Sequence, residues 1–203
     1  MIIREQHALL RSFYSQYITD GGSLSLKHFL SPPEPRIVRF PYFDSRFYEF
    51  DRHIAYYAKL FGEENVLALP YEMLRSKPLD FFEKILEFSD LPVHDIQLSS
   101  VLDDCTINPG RQPSLQLILR CMNALFFRNQ CGNFALVNAK GIRRIVEKYF
   151  IYITKIIPGY IDFKIDQRWK HIIYSIINDR YIASNRRTSQ IIDIDLSEYG
   201  YKL

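Results

Sequence analysis

The residue types best suited to chemistry stand where apolar runs end. Arg4 follows Ile2 and Ile3, which are typical of the last residues of a strand, and Ser12 lies on the helix predicted to come next. An arginine fork at a strand end can bind a phosphate through two parallel hydrogen bonds, and a serine hydroxyl supplies a further donor. Arg4 and Ser12 are therefore side chains that can donate hydrogen bonds to an anion.

A second apolar run, residues 66–69, is typical of a strand that is covered on both faces. Tyr71 and Glu72 come directly after it, and in open α/β sheets ligands bind at this end of the strands. A polar turn is predicted there, and Pro78 then begins a helix because its missing N–H is not needed in the first turn. The apolar stripe of that helix is predicted to pack onto the sheet; it contains Leu79, Phe82, Ile85, Leu86 and Ser89.

Most of the remaining chain is predicted to be helical. The first helix is expected to end at Gly21 and Gly22, and its apolar positions are predicted to be Ala8, Leu9, Phe13 and Tyr17. Another helix has Phe47, Phe50, Ile54, Tyr57 and Phe61 at helical spacing, with Gly62 as its C-cap. Further helices are predicted near residues 113–128, 142–157 and 167–183, with Pro158-Gly159 as a turn between the last two. Residues 36–40 are the one additional candidate strand.

Size and charge restrict the class of protein. The chain of 203 residues is long enough for a single domain with its own core, and its net charge of +3 is spread among acidic residues rather than concentrated. That distribution argues against nucleic-acid binding. No signal peptide or membrane span is expected. The three cysteines match no zinc or redox spacing, so we predict buried thiols in a reducing, cytoplasmic compartment; they are Cys105, Cys121 and Cys131.

Taken together, these segments resemble sulfotransferases of the bacterial carbohydrate type, which use 3′-phosphoadenosine 5′-phosphosulfate (PAPS). Residues 71–78, Tyr-Glu-Met-Leu-Arg-Ser-Lys-Pro, are similar to the tyrosine–glutamate segment of that family, and residues 2–14 to its 3′-phosphate-binding motif. The resemblance covers about residues 1–92, and residues 181–201 resemble the end of the family with lower specificity. It implies a helix-dominated α/β fold of the P-loop-NTPase-like sulfotransferase type, incomplete at the N-terminus, with residues 1–203 as a single partial domain.

The resemblance also implies roles for individual residues. Arg4 and Ser12 would bind the 3′-phosphate of PAPS, Tyr71 would pack near the adenine, and Arg186 would assist with the phosphate. Glu72 is expected to have a structural role, holding the turn or capping a helix. The implied reaction is transfer of a sulfuryl group from PAPS to a hydroxyl of a carbohydrate-like acceptor, with no metal.

One part of the family pattern is missing. No strand-to-helix loop with Pro-Lys-x-Gly-Thr-like residues is found for the 5′-phosphosulfate, and no catalytic base is identified, so the catalytic residues stay unassigned. We therefore expect this chain alone to be inactive, with any upstream segment encoded separately. The alternative is a non-catalytic descendant that binds a nucleotide or a protein. A missing parallel strand would leave an exposed sheet edge, at which a second chain could pair.

Two further groups of residues are weighed for a role in the site. His7 falls within the phosphate motif, but a solvated or structural histidine is the favoured interpretation. An aromatic cluster either stacks on a sugar or forms core beneath a loop, and the core is favoured; it contains Phe40, Tyr42, Phe43, Phe47, Tyr48 and Phe50. Paired arginines such as Arg186 and Arg187 are expected to be solvated.

Overall fold

The computed structural model describes residues 1–31, 44–91, 111–126, 149, 152 and 156–203. Two strands are described, β1 (Ile2–Ile3) and β2 (Leu69–Pro70). The helices are α1 (Gln6–Thr19), α2 (Leu26–Leu30), α3 (Phe50–Phe61), α4 (Tyr71–Ser76), α5 (Pro78–Phe88), α6 (Pro113–Phe126), α7 (Gly159–Ile177) and α8 (Ile182–Ile192). Short 3-10 helices cover Ser45–Tyr48, Glu63–Asn65 and Leu196–Tyr199. The described part of the protein is thus mainly helical with a small parallel sheet, which is an α/β arrangement in the broad sense.

The chain forms two compact units. The first contains Met1–Ala8, Asp44–Asn108 and Asp179–Leu203, and the second contains Leu9–Phe43 and Pro109–Asn178. Both strands belong to the first unit, so the sheet that positions the candidate site lies entirely within it.

The sheet consists of β1 and β2, which pair in parallel. Ile2 lies opposite Leu69 and Ile3 opposite Pro70. The Met1 carbonyl accepts a hydrogen bond of 3.0 Å from the Leu69 N–H, which extends the pairing by one residue. The prediction of a strand at residues 66–69 was right about its existence and wrong about its limits, because the regular pairing with β1 covers only Leu69 and Pro70.

Leu69 anchors the core beneath the sheet in the first unit. It packs with Met73 of α4 and Phe81 of α5, and half-buried apolar residues surround them, including Leu67, Leu74, Phe82, Ile85, Ile194 and Tyr199. The polar turn predicted after β2 is in fact the short helix α4, and α5 begins at Pro78 as predicted. The predicted stripe of α5 is partly wrong, because Phe81 is buried whereas Leu79 and Ser89 are exposed.

The second unit has an aromatic core on the later part of α1. Tyr14 packs edge-on against Trp169 of α7, with ring centroids 5.4 Å apart, and also contacts Phe29 of α2. The buried apolar positions of α1 are Leu10, Tyr14, Tyr17 and Ile18. Of the predicted apolar stripe, Tyr17 is therefore buried, whereas Ala8, Leu9 and Phe13 are half-buried. Asn123 of α6 donates to the carbonyls of Ile18 and Gly22, which fixes the turn after α1.

The C-terminal helices begin and end elsewhere than predicted. Helix α7 starts at Gly159 and ends at Ile177, where Asn178 has a positive φ of 39°, and α8 then begins at Ile182. A single helix over residues 167–183 was therefore wrong, because neither a proline nor a glycine marks the break at Asn178. The candidate strand at 36–40 and most of the candidate helix at 142–157 lie outside the described residues. None of the helices described has the length and apolar character needed to cross a membrane.

Candidate functional site

The two strand ends bring Arg4 and Tyr71 together. β1 and β2 are parallel and Ile3 pairs with Pro70, so the residues that follow them, Arg4 and Tyr71, both lie at the carboxyl end of the sheet. The guanidinium carbon of Arg4 lies 5.0 Å from the centre of the Tyr71 ring, a cation–π distance. A guanidinium and an aromatic ring therefore lie together at the carboxyl ends of the strands, where ligands bind in parallel sheets.

The Arg4 side chain has no acceptor among the described residues. Its Nε atom is buried without a hydrogen-bond partner, and Arg4 takes part in none of the ion pairs found in the described part of the chain. Buried polar groups are nearly always satisfied in native proteins, and an exception calls for an explanation such as a missing ion. Arg4 is a half-buried cation with unused donors.

Two carboxylates lie beside Arg4, but both are bonded to other groups. Glu5 caps α1, because its oxygens accept the N–H groups of His7 at 2.9 Å and Ala8 at 2.8 Å. Burial alone would raise the pKa of Glu5, but the hydrogen bonds from the His7 side chain and these N–H groups outweigh it and lower the pKa. The N-terminus of α1 is therefore already occupied by a carboxylate of the protein.

Glu72 links three segments of the first unit. One oxygen accepts the Glu5 N–H at 3.1 Å, and the other accepts the Tyr201 hydroxyl at 3.2 Å. Burial and the neighbouring Glu72 raise the pKa of Tyr201, so its hydroxyl remains a donor at neutral pH. These bonds tie the end of β1, the start of α4 and the C-terminal segment together, which is the structural role expected of Glu72.

The C-terminal segment is held by polar groups that the sequence does not single out. Asn185 of α8 donates to the Lys202 carbonyl at 3.0 Å, and it also accepts a bond of 2.7 Å from the Gln6 side chain. Gln6 and Asn185 are both almost fully buried. The amides lie far apart in the chain and on polar-looking stretches, so no local pattern indicates that they meet beside the strand ends.

The other two predicted site residues, Ser12 and Arg186, are both exposed. Ser12 is exposed on α1 and belongs to the second unit, whereas Arg4 and Tyr71 belong to the first. Arg186 is exposed on α8, and among the described residues no hydrogen bond or ion pair links it to Arg4 or Tyr71. Arg4 and Tyr71 are therefore the two predicted site residues that are in contact.

Arg187, the neighbour of Arg186, is exposed on α8 as predicted, and its Nε also donates to the buried Asp51 of α3 at 2.6 Å. The Ser184 hydroxyl also donates to Asp51. This network joins α3 to α8, and a lone aspartate on an apolar-looking helix gave no sign of it in the sequence.

The remaining candidates do not converge on Arg4. Of the aromatic cluster, Phe50 is buried in the core, Tyr48 is half-buried and Phe47 is exposed. Phe40, Tyr42 and Phe43 lie outside the described residues. His7 bonds through Nδ1 to the capping Glu5 at 2.6 Å, which is a structural contact. Cys121 is exposed, contrary to the prediction of buried thiols, and Cys105 and Cys131 are outside the described part. No cluster of three metal-ligating side chains occurs in the ranges described.

No protein-family model matches this chain, and comparisons with curated proteins and with solved structures give no match either.

Proposed function

We propose that this protein is a sulfotransferase-family protein. The carboxyl end of its sheet binds the 3′-phosphate and adenine of PAPS through Arg4 and Tyr71. In the complete reaction a hydroxyl oxygen of a carbohydrate-like acceptor attacks the sulfur of PAPS. The bond from sulfur to the 5′-phosphate oxygen breaks, the acceptor proton passes to a base, and adenosine 3′,5′-bisphosphate leaves. PAPS supplies the activated sulfuryl group, and the residues of this chain bind its nucleotide part.

The unpartnered guanidinium of Arg4 is the observation that carries the proposal. A buried Nε without an acceptor, in a cation that forms no ion pair within the described chain, suits a dianionic phosphate that brings its own acceptor oxygens. Charge-assisted bonds of this kind contribute about 1.5–3 kcal/mol each. The Tyr71 ring, over which Arg4 lies, is the position near which the resemblance implies that the adenine packs.

A second candidate function is nucleotide binding without sulfuryl transfer. The connection from β1 to α1 is Arg4-Glu5, and β2 runs directly into α4. Neither connection contains a glycine, so within the described residues neither strand leads into a loop whose N–H groups could surround a phosphosulfate. This observation favours a chain that retains the 3′ side of the pocket and does not catalyse transfer by itself.

Calorimetric titration with three nucleotides tests the shared part of both candidates. We expect adenosine 3′,5′-bisphosphate to bind with micromolar affinity and adenosine 5′-monophosphate, which lacks the 3′-phosphate, to bind at least about 30-fold more weakly, because roughly 2 kcal/mol of phosphate contact is absent. Adenosine 2′,5′-bisphosphate is the matched control, since it has the same charge in a different position. Equal affinity for the two bisphosphates, or no binding at millimolar concentration, would refute a 3′-phosphate site.

An assay of sulfate transfer from PAPS to a panel of carbohydrates separates the two candidates. The second candidate predicts nucleotide binding with no turnover by this chain. Turnover by the natural chain that is lost in Arg4→Ala would support the first candidate, a sulfotransferase. It would also show that the chain contains its own 5′-phosphosulfate site.

A further inference from the structure

The C-terminal segment reaches the carboxyl end of the sheet, where Arg4 and Tyr71 lie. Tyr201 is 3% exposed, and its hydroxyl donates to Oε2 of Glu72, the residue that follows Tyr71. The carbonyl of Lys202 accepts a further bond of 3.0 Å from α8. All of these residues belong to the first unit. The buried ring of Tyr201 is therefore held beside Glu72 by packing and by the backbone that follows it, and not by its hydroxyl alone.

The Glu72 carboxylate also fixes the backbone next to Arg4. Its Oε1 accepts the Glu5 N–H at 3.1 Å, and that N–H belongs to the peptide group that joins Arg4 to Glu5. Glu72 itself follows Tyr71, over whose ring the Arg4 guanidinium lies. A carboxylate and a guanidinium are therefore neighbours, yet no ion pair joins Glu72 to Arg4 within the described chain.

The Tyr201 hydroxyl lies close to both of these charged groups. Burial is the main cause that raises the pKa of Tyr201, Glu72 and Glu5 raise that pKa further, and Arg4 lowers it. The hydroxyl is therefore protonated at neutral pH and can donate a hydrogen bond. Because the cation, the hydroxyl and the carboxylate form one cluster, the hydroxyl and the guanidinium are alternative donors for Glu72.

We propose that Tyr201 is a positioning residue of the Arg4 site, because its hydroxyl holds the Glu72 carboxylate in an orientation that does not pair with Arg4. The end of a glutamate side chain rotates easily, since its last torsion angle has a broad distribution. The Glu5 N–H and the Tyr201 hydroxyl restrict this rotation. Without the hydroxyl, an unused carboxylate oxygen lies next to a guanidinium with unused donors, and the two form an ion pair.

The consequence for a ligand rests on the proposed function, whereas the effect on Arg4 itself does not. If Arg4 binds the 3′-phosphate of a nucleotide, an ion pair between Arg4 and Glu72 competes with that phosphate for the same donors. Tyr201 then raises the affinity for the nucleotide through Glu72, without contacting the nucleotide.

The ¹⁵N–¹H spectrum of the arginine side chains in the unliganded whole chain tests the effect on Arg4. In Tyr201→Phe, which keeps the buried ring, the Arg4 Nε–H signal should move downfield because it gains a carboxylate acceptor. In the double variant Tyr201→Phe/Glu72→Gln the signal should return, since a neutral amide is a weaker acceptor for a guanidinium. Tyr199→Phe is the matched control, because Tyr199 lies in the same segment and the hydroxyl bonded to Glu72 is that of Tyr201; this variant should leave the signal in place.

Calorimetric titration of the same variants with adenosine 3′,5′-bisphosphate tests the consequence for the ligand. We expect Tyr201→Phe to weaken binding about 10-fold, which corresponds to one competing charge-assisted bond. The double variant should regain most of the affinity, and Tyr199→Phe should stay within about twofold of the natural chain.

Two results would overturn the proposal. The first is an Arg4 signal that stays in place in Tyr201→Phe, whether or not the bisphosphate binds. The second is an equal loss of affinity in Tyr201→Phe and in the double variant, which would mean that the hydroxyl supports the fold without controlling the Glu72 charge. If the signal moves as expected but the natural chain binds no bisphosphate, the proposed function is refuted and the role of Tyr201 is supported.

Discussion

Arg4 and Arg11 both lie on an aromatic ring, yet their surroundings differ. Arg4 lies over Tyr71 in the first unit, and its guanidinium has no acceptor among the described residues. Arg11 lies 4.2 Å from the Trp169 ring centre in the second unit and donates to Asp166 at 3.3 Å and to the Gln116 side chain at 3.1 Å. The partners of Arg11 make it part of the helix packing, whereas Arg4 retains its donors for an anion.

The comparison shows what distinguishes a binding arginine from a structural one. Burial lowers the pKa of Arg11, which the nearby Asp166 counteracts, so the protein itself supplies the compensating charge. The carboxylates beside Arg4 are instead committed to the α1 cap and to Tyr201. A cation that is partly buried without a partner is unfavourable unless a ligand supplies one.

Arg4→Ala should have the largest effect on ligand binding. We expect the affinity for adenosine 3′,5′-bisphosphate to fall about 100-fold, which corresponds to roughly 3 kcal/mol of charge-assisted bonds. Calorimetric titration measures this loss. The unfolding free energy should change by less than about 1 kcal/mol, the value of an exposed cation–π contact. An unchanged affinity would remove Arg4 from the site.

Arg11→Ala should show the opposite profile. We expect it to lower the unfolding free energy by about 2 kcal/mol, because Gln116 loses a donor and Trp169 loses its cation, while Lys170 still pairs with Asp166 at 3.1 Å. Urea denaturation provides the value. The affinity of the folded variant for the bisphosphate should stay within about twofold of the natural chain. Loss of binding in folded Arg11→Ala would mean that the two arginines do not differ as described.

Glu5→Ala should destabilise the first turn of α1, which follows Arg4 in the chain. Loss of the α1 cap is expected to cost about 1 kcal/mol at pH 7. The folded pKa of Glu5 is lowered below its ordinary value of 4.5, so its contribution is present above pH 4.5 and is lost as the pH falls through the folded pKa. Urea denaturation at pH 7 and pH 3 measures this, and the difference between natural chain and variant should shrink at the lower pH. An equal difference at both pH values would contradict the cap.

Arg186 and Arg187 are a second pair of arginines to compare, and substituting them should have smaller effects on binding and stability. Arg186→Ala should change bisphosphate affinity by less than about threefold, since an exposed charge contributes little. Arg187→Ala is the matched control: it should leave binding unchanged and lower the unfolding free energy by up to about 1 kcal/mol, because Asp51 loses its ion pair. Titration and denaturation of both variants give these values. A loss of ten-fold or more with Arg186→Ala would place that residue in the site.

The sequence indicated the strand ends better than it indicated their surroundings. Ile2-Ile3 and the residues before Tyr71 were recognisable because short apolar runs followed by polar residues indicate strands locally. The limits of β2 and the buried face of α1 were missed, since they depend on which neighbouring elements cover each residue. The bonds of Glu72, Tyr201 and Asn185 could not be predicted, because they join segments that lie far apart in the chain.

The most direct test is the response of the Arg4 side chain itself. In a ¹⁵N–¹H spectrum of the arginine side chains, assigned through Arg4→Lys and Arg11→Lys, adenosine 3′,5′-bisphosphate should shift the Arg4 Nε–H signal in a saturable manner. The Arg11 Nε–H, which already donates to Asp166, should not move. An Arg4 signal that stays in place at saturating ligand, or equal shifts of both signals, would contradict the assignment of Arg4 as the phosphate-binding residue.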